Sequence, residues 1–250
     1  MIRRLEELSA NAWPGLRSVL VDGWVIRFAE GYSRRANCVL PLYPGTASLA
    51  EKIAQCEALA LSRGAEPIFK LTSAALPEEL EAELERRGYV HEADTSVLVL
   101  EKLQPTEVLL PDNLRIRVTE NLENLWFAFY SATGGLNERQ AAAAQAIMDH
   151  IVPQRRFVLL EGEDGPVACA LTVVEDGWAG VFDVAVRQDL RGRGLGRRIL
   201  ASTLAEAAAA GAHRSYLQVF RGNRPAEELY RQLDYTTAYP YWYRVKKARP

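Results

Sequence analysis

Residues 182–196 place the tightest limit on how this chain folds. Phe182-Asp183-Val184-Ala185-Val186 reads as a strand, Arg187-Gln188-Asp189-Leu190 as a short turn, and Arg191-Gly192-Arg193-Gly194-Leu195-Gly196 as a glycine-rich loop opening a long Ala/Leu helix to about residue 210. Glycine admits turn conformations closed to other residues and lets a ligand come close to the main chain. The first N–H groups of a helix lack intrahelical acceptors and sit at the positive end of its dipole. Together these features predict an anion cradle of the size a pyrophosphate needs. Arg191, Arg193, Arg197 and Arg198 add positive charge on the same turn.

A strand feeding such a loop needs a sheet, and the preceding residues supply one. Segments 156–160, 166–174 and 178–186 are rich in β-branched and aromatic residues and are separated by Glu163-Asp164-Gly165 and Glu175-Asp176-Gly177, whose Asp-Gly pairs mark hairpins. They predict an antiparallel meander. Upstream come an alternating strand at 114–118 and helices near 122–130 and 138–151; downstream come a strand at 215–220, a helix at 225–233 and an aromatic strand at 239–245. The order is β-α-α-β-β-β-α-β-α-β. The first half reads as strands at 24–29 and 37–42, a Ser48-capped helix to about 62, a strand at 67–71, a helix at 76–87 and a strand at 96–100.

A turn-rich stretch over 101–113, with Gln104-Pro105-Thr106 and Pro111-Asp112-Asn113, marks a linker and divides the chain into 1–105 and 106–250. The halves end alike: helix, Gly64-Ala65, strand, Leu84-x-x-x-Gly88-Tyr89, strand, against helix, Gly211-Ala212, strand, Tyr230-x-x-x-Asp234-Tyr235, strand. This is the signature of a divergent duplication.

Thirty Lys+Arg against 32 Asp+Glu leave a net charge of −2, which argues against nucleic acid or anionic lipid as partner and favours a small molecule or a protein. Cys38, Cys56 and Cys169 are widely spaced with no C-x-x-C pair, which fits free thiols in a reducing compartment. His91, His150 and His213 are scattered, so no metal is expected. The first seven residues are charged and lack a signal peptide's apolar core, and no apolar run nears the ~20 residues that cross a bilayer, so a cytoplasmic location is expected.

Two nucleotide-binding patterns fail at the loop. A P-loop needs Lys-Ser/Thr after its last glycine, and here Gly196-Arg197-Arg198 follows; a G-x-G-x-x-G count meets Arg197 or Ile199 at its third glycine. The chain instead resembles the GCN5-related N-acetyltransferase (GNAT) superfamily. That family's Gln/Arg-x-x-Gly-x-Gly/Ala loop is met by Arg191-x-x-Gly194-x-Gly196. Its following strand, Asn, small residue and Leu-Tyr pair are met by Leu217-Gln218-Val219, Asn223, Ala226 and Leu229-Tyr230. The resemblance covers about residues 114–245.

The resemblance implies an α/β fold with a mixed α+β sheet, arranged as two GNAT-like acyl-CoA N-acyltransferase lobes in tandem, the first degenerate and without a cofactor loop. It implies an N-acetyltransferase moving acetyl from acetyl-CoA, as cosubstrate, to a small-molecule or protein amine by direct attack in a ternary complex. Val184, Ala185 and Val186 would pair with the pantetheine arm. The amides of Arg191, Gly192, Arg193, Gly194, Leu195, Gly196 and Arg197 would hold the pyrophosphate, Asn223 would contact the pantetheine or order its loop, and Tyr230 would protonate the departing thiolate. The carboxylate bases of some members are missing, since Gln218 and Gly180 stand at those positions; Asp183 is the nearest carboxylate, and water-mediated proton removal is the expected route. The missing base leaves a non-catalytic acyl-CoA-binding regulatory module as the alternative, and Arg191 to Arg198 as a nucleic-acid contact is the weaker rival. Glu138, Asp149 and His150 lie where the family builds its acceptor site. In the first lobe, Leu84 falls where Tyr230 falls in the second, and Trp24, Arg27, Tyr32, Arg34 and Arg35 are expected to be structural or to shape the acceptor pocket. An internal duplication substitutes for the dimer of single-lobe relatives and favours a monomer.

Overall fold

The computed structural model describes residues 1–105 and 108–247. Thr106, which belongs to the expected linker and opens the expected second lobe, lies outside the described residues. In chain order the first part holds α1 (Ile2–Ala12), β1 (Arg17–Val21), β2 (Trp24–Phe28), β3 (Val39–Leu40), α2 (Leu49–Leu61), β4 (Ile68–Leu71), α3 (Leu80–Arg86) and β5 (Val90–Leu100). The rest holds β6 (Arg115–Thr119), α4 (Asn124–Gly134), α5 (Glu138–Asp149), β7 (Gln154–Gly162), β8 (Gly165–Glu175), β9 (Trp178–Val186), α6 (Leu195–Ala209), β10 (Arg214–Phe220), α7 (Arg224–Arg231) and β11 (Thr236–Val245). None of the helices among the described residues is long and apolar enough to cross a membrane.

Contacts group the chain into two compact units, Met1–Val97 with the C-terminal strand from Ala238 onward, and Leu98–Thr237. In the first unit β1 and β2 form an antiparallel hairpin, β2 pairs antiparallel with β3, β3 runs parallel to β4, and β4 pairs antiparallel with β11 through Trp242↔Leu71. Trp24, Ile53, Cys56, Phe69, Leu80, Leu84 and Tyr89 fill its core. The segment before residue 24, to which the sequence analysis assigns no element, forms α1 and β1. Leu5, Leu8 and Ala12 are buried along α1, a helical spacing that the intervening charges obscure. The helix expected over 76–87 begins only at Leu80; Pro77 steers Leu76 away from the helical region.

From β6 onward the elements come in the expected order, the last of them, β11, belonging from Ala238 to the first unit. β6, β7, β8 and β9 form the antiparallel meander, and β10 joins β9 in parallel. At the turn between β8 and β9, Asp176 (φ 51°) and Gly177 (φ 71°) both take positive φ, as a two-residue type I′ hairpin requires. Alternation along β7 sorts the two faces. Val158 and Leu160 pack with Leu195 and Ile199 of α6, whereas Phe157 meets Trp126 of α4 edge to face at 5.1 Å.

The repeated ending has matching geometry in both units. α2 closes with the Ala65 N–H on the Ala60 carbonyl, and α6 with the Ala212 N–H on the Ala207 carbonyl, both at 3.0 Å. α3 closes with Tyr89 N–H on Leu84 O at 3.0 Å, and α7 with Tyr235 N–H on Tyr230 O at 3.1 Å. In each case the residue just before the donor (Gly64, Gly211, Gly88 or Asp234) has positive φ, the left-handed C-cap that ends a helix sharply.

Candidate active site

The site begins with an irregularity in β9. Cys169 faces Ala185 and Leu171 faces Phe182, so Ala170 alone stands opposite Asp183 and Val184. This two-against-one pairing is a β-bulge, which bends its strand. Asp183 carries it at φ 52°, a left-handed conformation that β-strands otherwise avoid. On its other side β9 pairs with β10 only from Arg214↔Trp178 to Leu217↔Val181. The parallel ladder therefore ends where the bulge begins.

A groove of about 620 Å³ opens at that point. Asp183, Val184, Ala185 and Val186 line it from β9; Tyr130, Thr133 and Gly134 from α4; Arg191 and Gly196 from the glycine loop and α6; and Asn223, Pro225, Ala226, Leu229 and Tyr230 from the α7 segment. An extended strand edge beside such an opening can take a ligand through main-chain hydrogen bonds, as an added strand would.

The glycine loop sits at one end. Gly192 and Gly194 both have φ 78° with open space where a side chain would start, and Gly194 is the N-cap of α6. The first helical bond into that cap is donated by the Arg198 N–H, to the Gly194 carbonyl at 3.2 Å. The N–H groups of Leu195, Gly196 and Arg197 precede it and by helix geometry have no intrahelical acceptor. At Gly196 a Cβ would stand 3.3 Å from Leu229 Cδ2 and 3.9 Å from Val186 Cγ2, so the lack of a side chain keeps the seam of α6, β9 and α7 open. Arg191 donates from Nε to the Val186 carbonyl at 3.3 Å, tying the loop to the end of the strand. A diphosphate fits this donor set of main-chain amides beside a guanidinium.

Tyr230 sits in the groove wall, 9% exposed, with its ring 6.0 Å from that of Tyr235. Burial pushes its hydroxyl up to about 12, so the phenol is protonated at neutral pH and is a proton donor. Asn223 lines the groove and also caps α7, accepting the Ala226 N–H at 3.4 Å. At Gly180, one of the two positions where the resemblance would place a carboxylate base, a Cβ would lie 2.5 Å from the Tyr216 hydroxyl and 2.6 Å from Phe182 Cε2. These two rings leave no room for a carboxylate side chain there.

The structure thus brings Val184, Ala185, Val186, Arg191, Gly196, Asn223 and Tyr230 to one groove, with Asp183 among them, while Glu138, Asp149 and His150 are not among its lining residues. His150 instead meets the Ala146 carbonyl through Nδ1 at 2.7 Å. In the first unit Arg27 donates to the Ala10 and Trp13 carbonyls and Trp24 to the Leu76 carbonyl, which are structural bonds. The wall contributed by Tyr130, Thr133 and Gly134 was not foreseen. Its signal is the aromatic run Trp126-Phe127-x-x-Tyr130 leading to Gly134-Gly135, where Gly135 ends α4 in the left-handed region one turn beyond the expected stop.

Known proteins resemble this chain along its length. Residues 1–244 match the family model described as "Probable histone acetyltransferase Rv0428c C-terminal". The chain is 24% identical over 250 residues to "Uncharacterized N-acetyltransferase YobR" of Bacillus subtilis, covering 98% of this chain and 99% of that protein. It is 33% identical over 95 residues to "Probable histone acetyltransferase Rv0428c" of Mycobacterium tuberculosis, covering 38% of this chain and 31% of that protein. In fold it is similar to a GCN5-related N-acetyltransferase from Kribbella flavida, with TM-score 0.71 at 20% identity over 99% of this chain and 96% of that one. It is also similar to a tandem GNAT protein from the clavulanic acid biosynthesis pathway, with TM-score 0.70 at 10% identity over 98% and 89%. With a GNAT fold along its length and a family match over residues 1–244, the chain belongs to the GNAT family defined by the C-terminal region of Rv0428c.

Proposed function

We propose that the second lobe, residues 106–250, is an N-acetyltransferase that moves acetyl from acetyl-CoA to an amine by direct attack in a ternary complex. The observation that carries this reading is the coincidence, in one groove, of the end of the β9–β10 ladder, the open first turn of α6 and the protonated Tyr230. Acetyl-CoA supplies an activated thioester carbonyl. The amides of Arg191, Gly192, Arg193, Gly194, Leu195, Gly196 and Arg197, with the Arg191 guanidinium, hold its diphosphate. Main-chain groups of Val184, Ala185 and Val186 align the pantetheine, and an N–H there polarises the carbonyl as an oxyanion develops. Asn223 keeps the α7 segment in place beside it.

The acceptor nitrogen forms the new C–N bond to give the oxyanion, the C–S bond then breaks as Tyr230 gives its proton to the departing sulfur, and the proton lost by the amine returns to Tyr230 through groove water. Because Gly180 admits no carboxylate and Gln218 is neutral, groove water takes the proton from the amine. The same absence supports one rival, a non-catalytic acyl-CoA-binding module. The lobes 1–105 and 106–250 are the products of a duplication whose first copy no longer binds coenzyme. The acceptor is a small-molecule or protein amine, and the protein works as a cytoplasmic monomer.

The test is thiol release from acetyl-CoA against a panel of alkylamines, arylamines, amino acids and lysine peptides. Turnover with at least one class, and its loss in Tyr230→Phe with acetyl-CoA affinity kept, is the expected result. Binding of acetyl-CoA without release toward any amine would favour the rival.

A further inference from the structure

We propose that a second cavity, walled in part by the glycine loop, binds a free α-amino acid as a zwitterion with an apolar side chain. The cavity lies wholly within the Leu98–Thr237 unit and shares no lining residue with the groove, so the proposal does not depend on the transferase reading.

The cavity measures about 350 Å³. Its apolar surface comes from Leu114, Val167, Leu190 and Leu195. All four pack with Val158, Leu160 and Ile199, but Leu114 and Leu190 are only partly buried there. A core edge left half open in this way gains from a hydrocarbon side chain laid against it. The volume stands at the lower end of the ~300–1,000 Å³ usual for small-ligand sites, which suits a molecule of amino-acid size.

Charge decides what else the ligand carries. Glu163 and Asp164 enter from the turn between β7 and β8, Arg187 from the end of β9, Arg193 from the glycine loop and Arg198 from α6. Arg187 is already held by Asp189, through Nε at 2.9 Å. Among the described residues the other four take part in no ion pair, although both signs line one cavity. Their charges balance. A phosphate or a simple carboxylate would leave both acids without a counterion, and an amine would leave both arginines so. A zwitterion answers both, its carboxylate on a guanidinium and its ammonium on a carboxylate, by charge-assisted hydrogen bonds. The same balance counts against the multiply phosphorylated end of a coenzyme.

Calorimetry on the full chain without coenzyme tests this with L-leucine, leucinamide, 4-methylpentanoate and glycine; the last three lack in turn the carboxylate, the ammonium and the side chain. L-leucine should bind with Kd below about 1 mM and each truncated probe at least about tenfold more weakly. Arg198→Gln and Asp164→Asn should each weaken L-leucine by a similar factor. Asp164 is exposed and Arg198 partly so, and thermal melts matching wild type show that the fold is kept. Repeating the titration in saturating acetyl-CoA separates two sources of the ligand: retained L-leucine binding supports a site of its own, whereas displacement gives the cavity to the coenzyme and overturns the proposal. Absence of L-leucine binding, a truncated probe that binds as tightly, or both variants binding like wild type also overturns it. None of these readouts measures thiol release, so the transferase reading stands or falls apart from them.

Discussion

The Asp22 carboxylate accepts the backbone N–H of Thr46 with both oxygens, at 3.0 and 2.8 Å, and takes the Ala47 N–H at 2.9 Å and the Thr46 hydroxyl at 3.2 Å as well. Lys52 reaches back from the first turn of α2 to the Asp22 carbonyl at 2.6 Å. One residue further on, Ser48 and Glu51 form a capping box, with Glu51 accepting the Ser48 N–H at 3.0 Å. The donors leading into α2 are therefore taken by the chain's own carboxylates, whereas the N–H groups of Leu195, Gly196 and Arg197 at the start of α6 have no intrahelical acceptor. Gly45 makes this possible, since a Cβ there would stand 2.0 Å from Asp22 Oδ2. On the reading proposed above the first lobe binds no coenzyme, and titration calorimetry should return one acetyl-CoA per chain. Two equivalents would contradict this account.

The same contact sets an acid limit. The Thr46 and Ala47 N–H groups, with smaller help from the Thr46 hydroxyl and Lys52, hold the Asp22 carboxyl below its ordinary value of 3.8. A group whose folded value is depressed stabilises the fold above its unfolded value and loses that contribution as pH falls through the folded one. Asp22→Asn should thus lower Tm at neutral pH and flatten its decline below about pH 4, where Asp ordinarily begins to protonate. Thermal melts from neutral to acid pH check this; parallel curves for wild type and variant would refute it.

A buried ion pair anchors α1. Lys70 Nζ stands 2.6 Å from Glu6 Oε2, with the two side chains 3% and 1% exposed, and the Tyr239 hydroxyl donates to Glu6 Oε1 at 2.8 Å. Removing one partner leaves a charge buried without its counterion, which costs about 3–5 kcal/mol, while replacing both by apolar residues of similar size is often near neutral. Urea melts should find Glu6→Leu and Lys70→Met each strongly destabilising and the double variant far closer to wild type. Additive losses would mean that the two charges act independently.

These features differ in how far the residues announce them. The meander and the glycine loop were legible because alternation, Asp-Gly pairs and a helix start are local patterns. The bulge at Asp183 was not, since nothing in Phe182-Asp183-Val184 marks it; it arises from the register β8 imposes on β9. The Tyr130 wall and the ring-filled space beside Gly180 depend on which helix covers which strand. α1 escaped notice because its short apolar stripe is interrupted by Arg3, Arg4, Glu6 and Glu7.

Tyr230 makes a distinct prediction for pH profiles. With its hydroxyl pushed up to about 12 by burial, it remains a donor throughout the range in which the protein is assayed. Tyr230→Phe should lower kcat by roughly 10²-fold or more, the usual worth of a general acid, without moving any ionisation seen below about pH 10. Steady-state rates from pH 6 to 10 test this; loss of an alkaline limb in the variant would show that Tyr230 ionises far lower than its burial implies.

The glycine loop contains two glycines needed for different reasons, and they should fail differently. Gly194 holds φ 78° with open space around it, so Gly194→Ala meets no neighbour but forces an L-residue into the left-handed region, at about 1 kcal/mol. That strain shifts the N-cap whose neighbouring amides face the groove, and acetyl-CoA should bind several-fold more weakly. Gly196 has ordinary helical backbone, but a Cβ there would stand 3.3 Å from Leu229 Cδ2 and 3.9 Å from Val186 Cγ2. There the added bulk matters: Gly196→Ala needs only a small movement of Leu229, while Gly196→Val pushes α7 and β9 apart at the groove floor. Calorimetry should show acetyl-CoA affinity nearly kept in Gly196→Ala and reduced by at least about tenfold, or 1.4 kcal/mol, in Gly196→Val. Equal affinities in the two Gly196 variants would mean that the coenzyme does not pass along this seam.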